Sequence, residues 1–521
     1  MPYSPVTAVW EITFACNMRC KHCGSKCSEA APDELSEAES LDLCDQIGAM
    51  KLQYVTLSGG EPFMRPDWWK IAQRLKQRGV IPNILSNGWF IDEKIVARAV
   101  AVGVSNIGLS IDGLRESHDF MRRPGSFDRI MQAYDLMRSV GLAASAITSI
   151  NKRNLPELPA LRQLLIEHGV YNWQIQVAMP MGHLAAHPEL VIEPEDIESI
   201  IDFAYETMQQ GGIEIDLSDC LGYYSEKDVA VRKASIHQDS YSGLWGGCPA
   251  GKYSFGIRCN GDITGCNSLR DTTGDFYREG NIRQTLLREL WTRPGAFSWN
   301  RDLIKEKLEG FCQCCLYGHY CLGGCSSMKQ SMGRTLGRND YCLYHLAVKR
   351  EADKIATITD FESLLENGRQ ALQNDEPQLA ELYLARGNAL HADHQELLEL
   401  LGLAHFKLGN FQLSREWNER LLQRYPQSAY GHKGLGLCWH QLGQSETGIG
   451  LLRQAIALEP GFLDAYYDLA LVLSAANRYQ EALDTLMQGQ RQSENFAQHT
   501  AEFAQQLRER LAPSKRSVGL E

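Results

Sequence analysis

Three thiols stand close together near the amino end, in Cys16-Asn17-Met18-Arg19-Cys20-Lys21-His22-Cys23, a C-x3-C-x2-C spacing. Three thiolates on one short loop can hold three irons of a [4Fe–4S] cube. The fourth iron then lacks a protein ligand, as an open, catalytic metal site requires. Spacing alone also permits a zinc site, or thiols packed in a core. A second set comes much later: Cys248-x12-Gly261-x4-Cys266, then Cys312-x2-Cys315-x5-Cys321-x3-Cys325, and finally Cys342, with Cys259 and Cys314 interspersed. Zinc knuckles would suit the x2 step as well. The chain has 16 cysteines, with none between Cys44 and Cys220. In a long chain from a reducing compartment, such clustering points to metal ligands rather than disulfides.

These residues need elements to position them. β-branched runs at 7–14, 53–58, 81–86, 106–111, 143–150 and 173–177 read as strands, and amphipathic stretches at 34–49, 68–78, 93–102, 127–140 and 158–168 read as the helices between them. Six such strands predict repeated βαβ units and a parallel sheet, joined right-handedly into an open twisted sheet or partial barrel. Ligands of such folds sit at the carboxyl ends of the strands. The thiol loop falls there, and so do Gly59-Gly60-Glu61-Pro62, Ser86-Asn87-Gly88 and Ser110-Ile111-Asp112-Gly113. Paired glycines let backbone approach a ligand closely, and the carboxylate can accept from an ammonium group. The Ser and Asp groups could hold a ribose and a carboxylate. Each of these motifs alone is also an ordinary turn. One more helix is expected at 192–211. The Tyr-, Ser- and Gly-rich stretch 219–247 reads as irregular. The stretch 248–342 reads as a second domain, held more by ligands than by a large apolar core.

Composition narrows the class. Hydrophobic content of 44% and charged content of 22% are those of an ordinary globular protein, long enough at 521 residues for several domains. A net charge of −12 argues against nucleic acid or anionic lipid as the main partner. No signal peptide and no run of about 18 apolar residues is found, so no membrane span is expected and the cytoplasm is the expected compartment.

Pro426 and Pro460 mark a 34-residue period at the carboxyl end. Leu401-Gly402 recurs as Leu435-Gly436 and Leu469-Ala470. Phe411 recurs as Ser445 and Tyr479, and Gly409 as Gly443 and Asn477. Gly368 and Ala380 keep the same phase in a weaker first unit. A helix–turn–helix unit of this period, with small residues where paired helices meet, is the tetratricopeptide signature. The units span about residues 361 to 494, with a disordered tail expected after them.

Together and in this order, the motifs of residues 7–180 resemble the radical S-adenosylmethionine superfamily. The resemblance implies a partial (β/α)6 barrel in which Cys16, Cys20 and Cys23 ligate a [4Fe–4S] cluster whose open iron chelates the methionyl amino and carboxylate groups. Gly59, Gly60 and Glu61 would contact that amino group. Ser86, Ser110 and Asp112 would serve the ribose and methionyl parts, and Arg122 would pair with the carboxylate. His22 departs from the pattern, because the position before the last Cys is often aromatic. Cys27 is read as structural. The later cysteines resemble the SPASM extension and imply two auxiliary [4Fe–4S] clusters, for three clusters in all. Cys248, Cys266 and Cys325 would bind the first, and Cys312, Cys315, Cys321 and Cys342 the second. Cys259 is the candidate fourth ligand of the first cluster, with an open iron there as the rival. Cys314 is either a bystander or a hydrogen donor or radical relay.

The implied reaction cleaves S-adenosylmethionine to a 5′-deoxyadenosyl radical, which removes a hydrogen atom from carbon, with the auxiliary clusters accepting the second electron. Sulfatase-maturating relatives carry an Asp after the Cys of the G-x4-C step. Asn267 stands there and cannot act as a base. Asp219 is the candidate base, with a turn residue as the other reading. The reading is therefore an α/β radical SAM barrel (residues 1–230 with the bridging segment), a Cys-rich SPASM domain (231–350), an all-α tetratricopeptide solenoid (351–511) and a tail (512–521). It is expected to cross-link a ribosomally made precursor peptide. Oxidation of a Ser or Cys of a protein is the alternative, and a non-catalytic iron–sulfur scaffold is a third reading. The chain opens almost at its first strand, leaving no room in front for a leader-binding domain, so the repeats are expected to recruit the peptide or a delivery partner. Packing against the SPASM domain or dimerisation is the plainer role for them. A flavodoxin or ferredoxin would supply electrons.

Overall fold

The computed structural model describes residues 3–235, 244–269, 276–333 and 335–511. The tail expected from residue 512 lies outside them. The chain forms two compact units, Met1–Gln313 with Tyr317–Ala347, and Cys314–Leu316 with Val348–Glu521.

The first unit is built on one mixed sheet. Strands β1 (Thr7–Thr13), β2 (Tyr54–Gly59), β3 (Ile81–Ser86), β4 (Asn106–Ser110), β5 (Ala143–Ile150), β6 (Asn172–Val177) and β7 (Glu214–Leu217) lie side by side in chain order, each parallel to its neighbour. Helices connect them: α1 (Glu37–Ala49), α2 (Trp68–Gln77), α3 (Glu93–Val102), α4 (Arg115–Met121) with α5 (Ser126–Ser139), α6 (Leu158–Glu167) and α7 (Asp196–Gln210), and α8 (Glu226–Ala234) follows β7. The strands are apolar because the sheet lies under these helices, which bury Trp10, Ile12, Leu57, Ile84, Ile107, Leu109 and Trp173 completely or nearly so. Helix starts are written locally. Ser36 and Glu39 form a reciprocal capping box on α1, and Asp92 caps α3.

Three features depart from the sequence reading. A seventh parallel strand follows β6; its four residues, Glu-Ile-Asp-Leu, are too few for a period-two signal. Helix α8 occupies part of the stretch read as irregular. It is short and charged, with its start capped by Ser225. Strand β8 (Ser254–Ile257) leaves the Cys-rich region and pairs parallel with β1, and β9 (Asp262–Thr264) and β10 (Arg278–Asn281) continue antiparallel from it. The sheet thus runs β10-β9-β8-β1-β2-β3-β4-β5-β6-β7 with two free edges, open rather than closed.

The second unit stacks helical hairpins: Phe361–Gln373 with Pro377–Leu390, Gln395–Lys407 with Phe411–Arg424, Ala429–Gln441 with Ser445–Leu458, and Leu463–Ala475 with Tyr479–Gln490, followed by Glu494–Leu511. Each hairpin turns through a left-handed residue at the same phase: Asp375, Gly409, Gly443 and Asn477. The small residues serve close helix contact. A Cβ on Gly436 would lie 2.9 Å from the Gly448 carbonyl oxygen, and one on Gly448 would lie 2.5 Å from that of Gly436. Among the described residues no helix is long and apolar enough to cross a membrane.

Candidate active site at the carboxyl ends of the strands

The loop carrying Cys16, Cys20 and Cys23 leaves the end of β1 and is clamped by the ends of several other strands. From β2, the Glu61 amide donates to the Ala15 carbonyl at 2.8 Å. From β3, Asn87 donates its side-chain amide to Asn17 at 2.8 Å. The Met121 carbonyl, after β4, accepts from the Lys21 amide at 2.8 Å. After β6, the His183 amide donates to the Cys23 carbonyl at 3.0 Å, and its ring Nδ1 lies 3.0 Å from the Cys20 carbonyl. Gly182 permits that approach, because a Cβ there would come within 2.2 Å of the Cys23 oxygen. Burial raises the Cys20 thiol to about 11, whereas a hydrogen bond from Cys27 draws the Cys23 thiol down. Among the described residues no three His, Cys, Asp or Glu side chains converge as ligands of one ion do. The loop therefore presents no preformed single-ion site.

Gly59 and Gly60 exist for the same clamp. Gly59 has φ +141°, and a Cβ on it would sit 2.3 Å from the Thr13 oxygen; one on Gly60 would sit 2.2 Å from the Ala15 oxygen. Their neighbour Glu61 is fully buried. It accepts from Ser86 Oγ and the Asn87 amide, both at 2.8 Å, and from the Phe63 amide at 3.3 Å. Burial pushes its carboxyl up to about 7, against the pull of these donors. Glu61 and Ser86 thus satisfy each other. The Ser86 hydroxyl also accepts from Gly88, so both residues hold β2 and β3 in register at the mouth.

Asp112, just past β4, is also fully buried. Its Oδ2 accepts from Arg122 Nε at 2.6 Å and lies 3.2 Å from His22 Nε2, while Oδ1 accepts from the Ser149 amide at 2.9 Å. Burial alone would raise its pKa; Arg122, His22 and His118 overcome that and hold it at about 2. Arg122 also reaches toward the Cys20 sulfur, with Nη1 4.0 Å away. This places a positive charge beside a thiol. His22, which looked like a departure in the motif, bridges to this pair, and burial lowers its pKa. Ser110 ends β4 half-buried. Sequence reasoning missed Ser149 and Gln176, which pair at 3.0 Å near the ends of β5 and β6. Their signal was the same one used for Ser86 and Ser110, a polar residue closing an apolar strand.

In the Cys-rich region, Cys266 and Cys325 each come within electrostatic reach of Cys248. The buried Lys329 ammonium lies among the thiols of Cys248, Cys321, Cys312 and Cys325. It donates to the Leu322 carbonyl at 2.8 Å, and burial lowers its pKa against those thiols. Cys259 stands elsewhere: the groups acting most on it are Glu34, Glu11 and Asp33, and its carbonyl accepts from Leu35. Asp219 is lifted to about 6 by burial, with Arg232 opposing. Asn267 clips β8 to β1, donating to the Val9 and Ile257 carbonyls.

The sequence matches the radical SAM superfamily over residues 10–165, an iron–sulfur cluster-binding (SPASM) domain over 248–316, and tetratricopeptide repeats over 365–429 and 440–501. It is 28% identical to an AdoMet-dependent heme synthase of Methanosarcina barkeri, over 66% of this chain and 98% of that protein. It is also 28% identical to mycofactocin maturase MftC of Mycobacterium tuberculosis, over 65% and 82%. In fold it resembles SuiB of Streptococcus suis bound to S-adenosylmethionine (TM-score 0.53, 15% identity, 66% of this chain and 78% of that one). It likewise resembles anSMEcpe with bound AdoMet and a peptide (TM-score 0.51, 17% identity, 65% and 93%). The chain is a radical SAM enzyme that joins a SPASM iron–sulfur domain and tetratricopeptide repeats to its open α/β barrel.

Proposed function

We propose that this enzyme is a peptide maturase that oxidatively modifies a ribosomally made precursor peptide by cross-linking it. The observation that carries this reading is the union, in one chain, of a thiol loop clamped at the mouth of an open barrel with helical hairpins of a peptide-binding type. The mycofactocin maturase supports it as a relative. The 98% coverage of the heme synthase by two thirds of this chain leaves the remainder without a counterpart there, which favours an added protein or peptide partner.

Cys16, Cys20 and Cys23 would hold the catalytic cluster, and the site suits it: one loop brings all the donors, and Arg122 offers charge compensation 4.0 Å from Cys20. The ligand sets for two auxiliary clusters, giving three in all, are Cys248, Cys266 and Cys325, and Cys312, Cys315, Cys321 and Cys342. Bound S-adenosylmethionine and the clusters would supply a carbon-centred radical that removes hydrogen and acceptors for the electron that follows. The protein's own part is positional. Glu61 and Ser86 fix the mouth, Asp112 holds Arg122 in place, and the Ser110 hydroxyl would serve the ribose. Asp219, lifted to about 6 by burial, would be the base that takes the substrate proton on its carboxylate. Oxidation of a Ser or Cys in the sulfatase-maturating manner is disfavoured by Asn267, whose amide is spent on backbone. The similarity to heme synthases favours a second reading, modification of a tetrapyrrole.

Iron and sulfide analysis of anaerobically prepared protein should give about twelve irons for three cubes. Four irons with bound zinc would dismantle the auxiliary-cluster assignment. With S-adenosylmethionine and dithionite the protein should release 5′-deoxyadenosine; binding without release would return the scaffold reading. A short peptide encoded beside the gene should lose two hydrogens. A hydrazine-reactive aldehyde would support the sulfatase-type reaction instead, and turnover of a porphyrin but no peptide would support the tetrapyrrole reading.

A further inference from the structure

We propose that Cys220, in the segment bridging the barrel and the SPASM domain, is the fourth ligand of the first auxiliary cluster, completing Cys248, Cys266 and Cys325 in place of Cys259. The inference rests on the auxiliary-cluster reading above and deepens it.

Cys220 follows β7 and is buried in the main core together with Cys325. Its segment is tied to Cys325 through one phenol. The Tyr223 hydroxyl donates to the Asp219 carbonyl at 2.6 Å and accepts from the Cys325 amide at 3.0 Å. The peptide bond between Asp219 and Cys220 and the backbone of Cys325 therefore meet at the same oxygen atom. Tyr223 is fully buried and has φ +85°, so the chain bends at a cost in order to make this link. Gly324, before Cys325, admits the ring: a Cβ there would lie 2.9 Å from the Tyr223 ring carbon and 3.0 Å from its oxygen. Trp245 packs edge-on to Tyr223 with ring centroids 5.6 Å apart, bringing the chain just before Cys248 to the same place. The thiols themselves are mutually felt. Cys248, Cys220 and Asp219 all act on Cys325, and Cys248 and Asp219 act on Cys266.

The Cys220 sulfur also carries a mark expected of a cluster thiolate. It accepts a backbone hydrogen bond, from the Val177 amide at 3.2 Å. The Cys312 sulfur, in the other ligand set, accepts one from the Asn339 amide at 3.4 Å. Such bonds to sulfur help set cluster potentials. Cys259 has a different setting: burial raises its thiol most, the charged groups foremost in acting on it are Glu34, Glu11 and Asp33, and its carbonyl accepts from the Leu35 amide. A cube spreads its thiolates over separate corners, so this wider grouping is compatible with the lack, among the described residues, of a single-ion site.

The test uses the full chain, reconstituted anaerobically, as wild type, Cys220→Ala, Cys220→Ser and Cys259→Ala. Iron and sulfide are counted, and the dithionite-reduced clusters are examined by EPR and Mössbauer spectroscopy. The wild type should hold about twelve irons. Cys220→Ala should lose or alter one auxiliary signal, with iron falling toward about eight where the cube is lost. Cys220→Ser keeps the volume of the buried side chain, so the protein stays folded, and it should still shift that signal because oxygen replaces sulfur on one iron. Cys259→Ala should leave all signals unchanged. Wild-type signals in both Cys220 variants would overturn this assignment alone. A wild type holding a single cube would overturn the auxiliary-cluster reading and this ligand with it.

Discussion

Replacing Gly60 by alanine tests whether the glycine pair serves the thiol loop. The new Cβ would sit 2.2 Å from the Ala15 carbonyl oxygen, 2.6 Å from its carbon and 2.8 Å from the Phe14 oxygen. All three are backbone atoms at the root of the loop, and none can swing aside as a flexible side chain would. Relief needs a retreat of about 1 Å between β2 and the loop, a strain of the kind that costs roughly 1–3 kcal/mol in a packed interior. The same retreat stretches the Gly60 amide bond to Thr13 (2.9 Å) and the Glu61 amide bond to Ala15 (2.8 Å), each worth about 1 kcal/mol. The variant should therefore fold with a stability loss of about 2–5 kcal/mol. Displacing a reacting group by about 1 Å can cost roughly 100-fold in rate. The assay is 5′-deoxyadenosine formed per cluster under reducing conditions, with iron content and circular dichroism measured on the same sample. A rate within about threefold of wild type at full iron content would refute the clamp, since a misplacement of this size should cost far more.

Other perturbations read different parts of the molecule. Ser86→Ala removes one donor from buried Glu61; it should lower stability by about 1–3 kcal/mol in thermal unfolding, and Ser86→Thr should restore most of that. The hydrogen bond from Arg283, aided by Ser36, holds Glu39 at about 2. Its folded value is thus depressed, so its stabilisation is present above the ordinary carboxylate range and is lost as pH falls through that range toward 2. Unfolding titrations of Glu39→Gln should show a correspondingly flatter acid limb. Lys329→Met removes a buried positive charge from among four thiols and should move auxiliary-cluster potentials to more negative values, by tens of millivolts in an EPR-monitored redox titration; unchanged potentials would discount the ammonium's role. Gly450 faces open space in the helix Ser445–Leu458, so Gly450→Ala should stabilise the repeat unit by about 0.5–1 kcal/mol and serves as the benign counterpart of Gly60→Ala.

The features readable from the chain alone were local. The thiol loop, the strands β1 to β6 and their helices, and the 34-residue repeat all declare themselves within a few residues or at a fixed period. Spacing and amphipathic periodicity act over such distances. The recurrence of Gly409, Gly443 and Asn477 was legible for the same reason, and the structure shows a left-handed turn at that phase and adds Asp375 to it. Which distant residues meet was set by the packing of the folded chain. β8 pairs with β1 although the whole barrel lies between them in the chain, and four residues carry no mark of their partner. That Asp112 and Arg122 pair as buried ions, with the His22 imidazole beside them, is a meeting of this kind. The sequence marks Glu61 as a group able to meet a ligand, and the structure adds that its burial is sustained by Ser86 and Asn87. The spacing of cysteines named candidates without ranking them. Cys259 lies in sequence among the candidate ligands, whereas Cys220 lies outside every motif, and its segment is linked to Cys325 through a buried tyrosine. A thiol's neighbours are set by the packing of segments far apart in sequence, and no local pattern encodes that meeting.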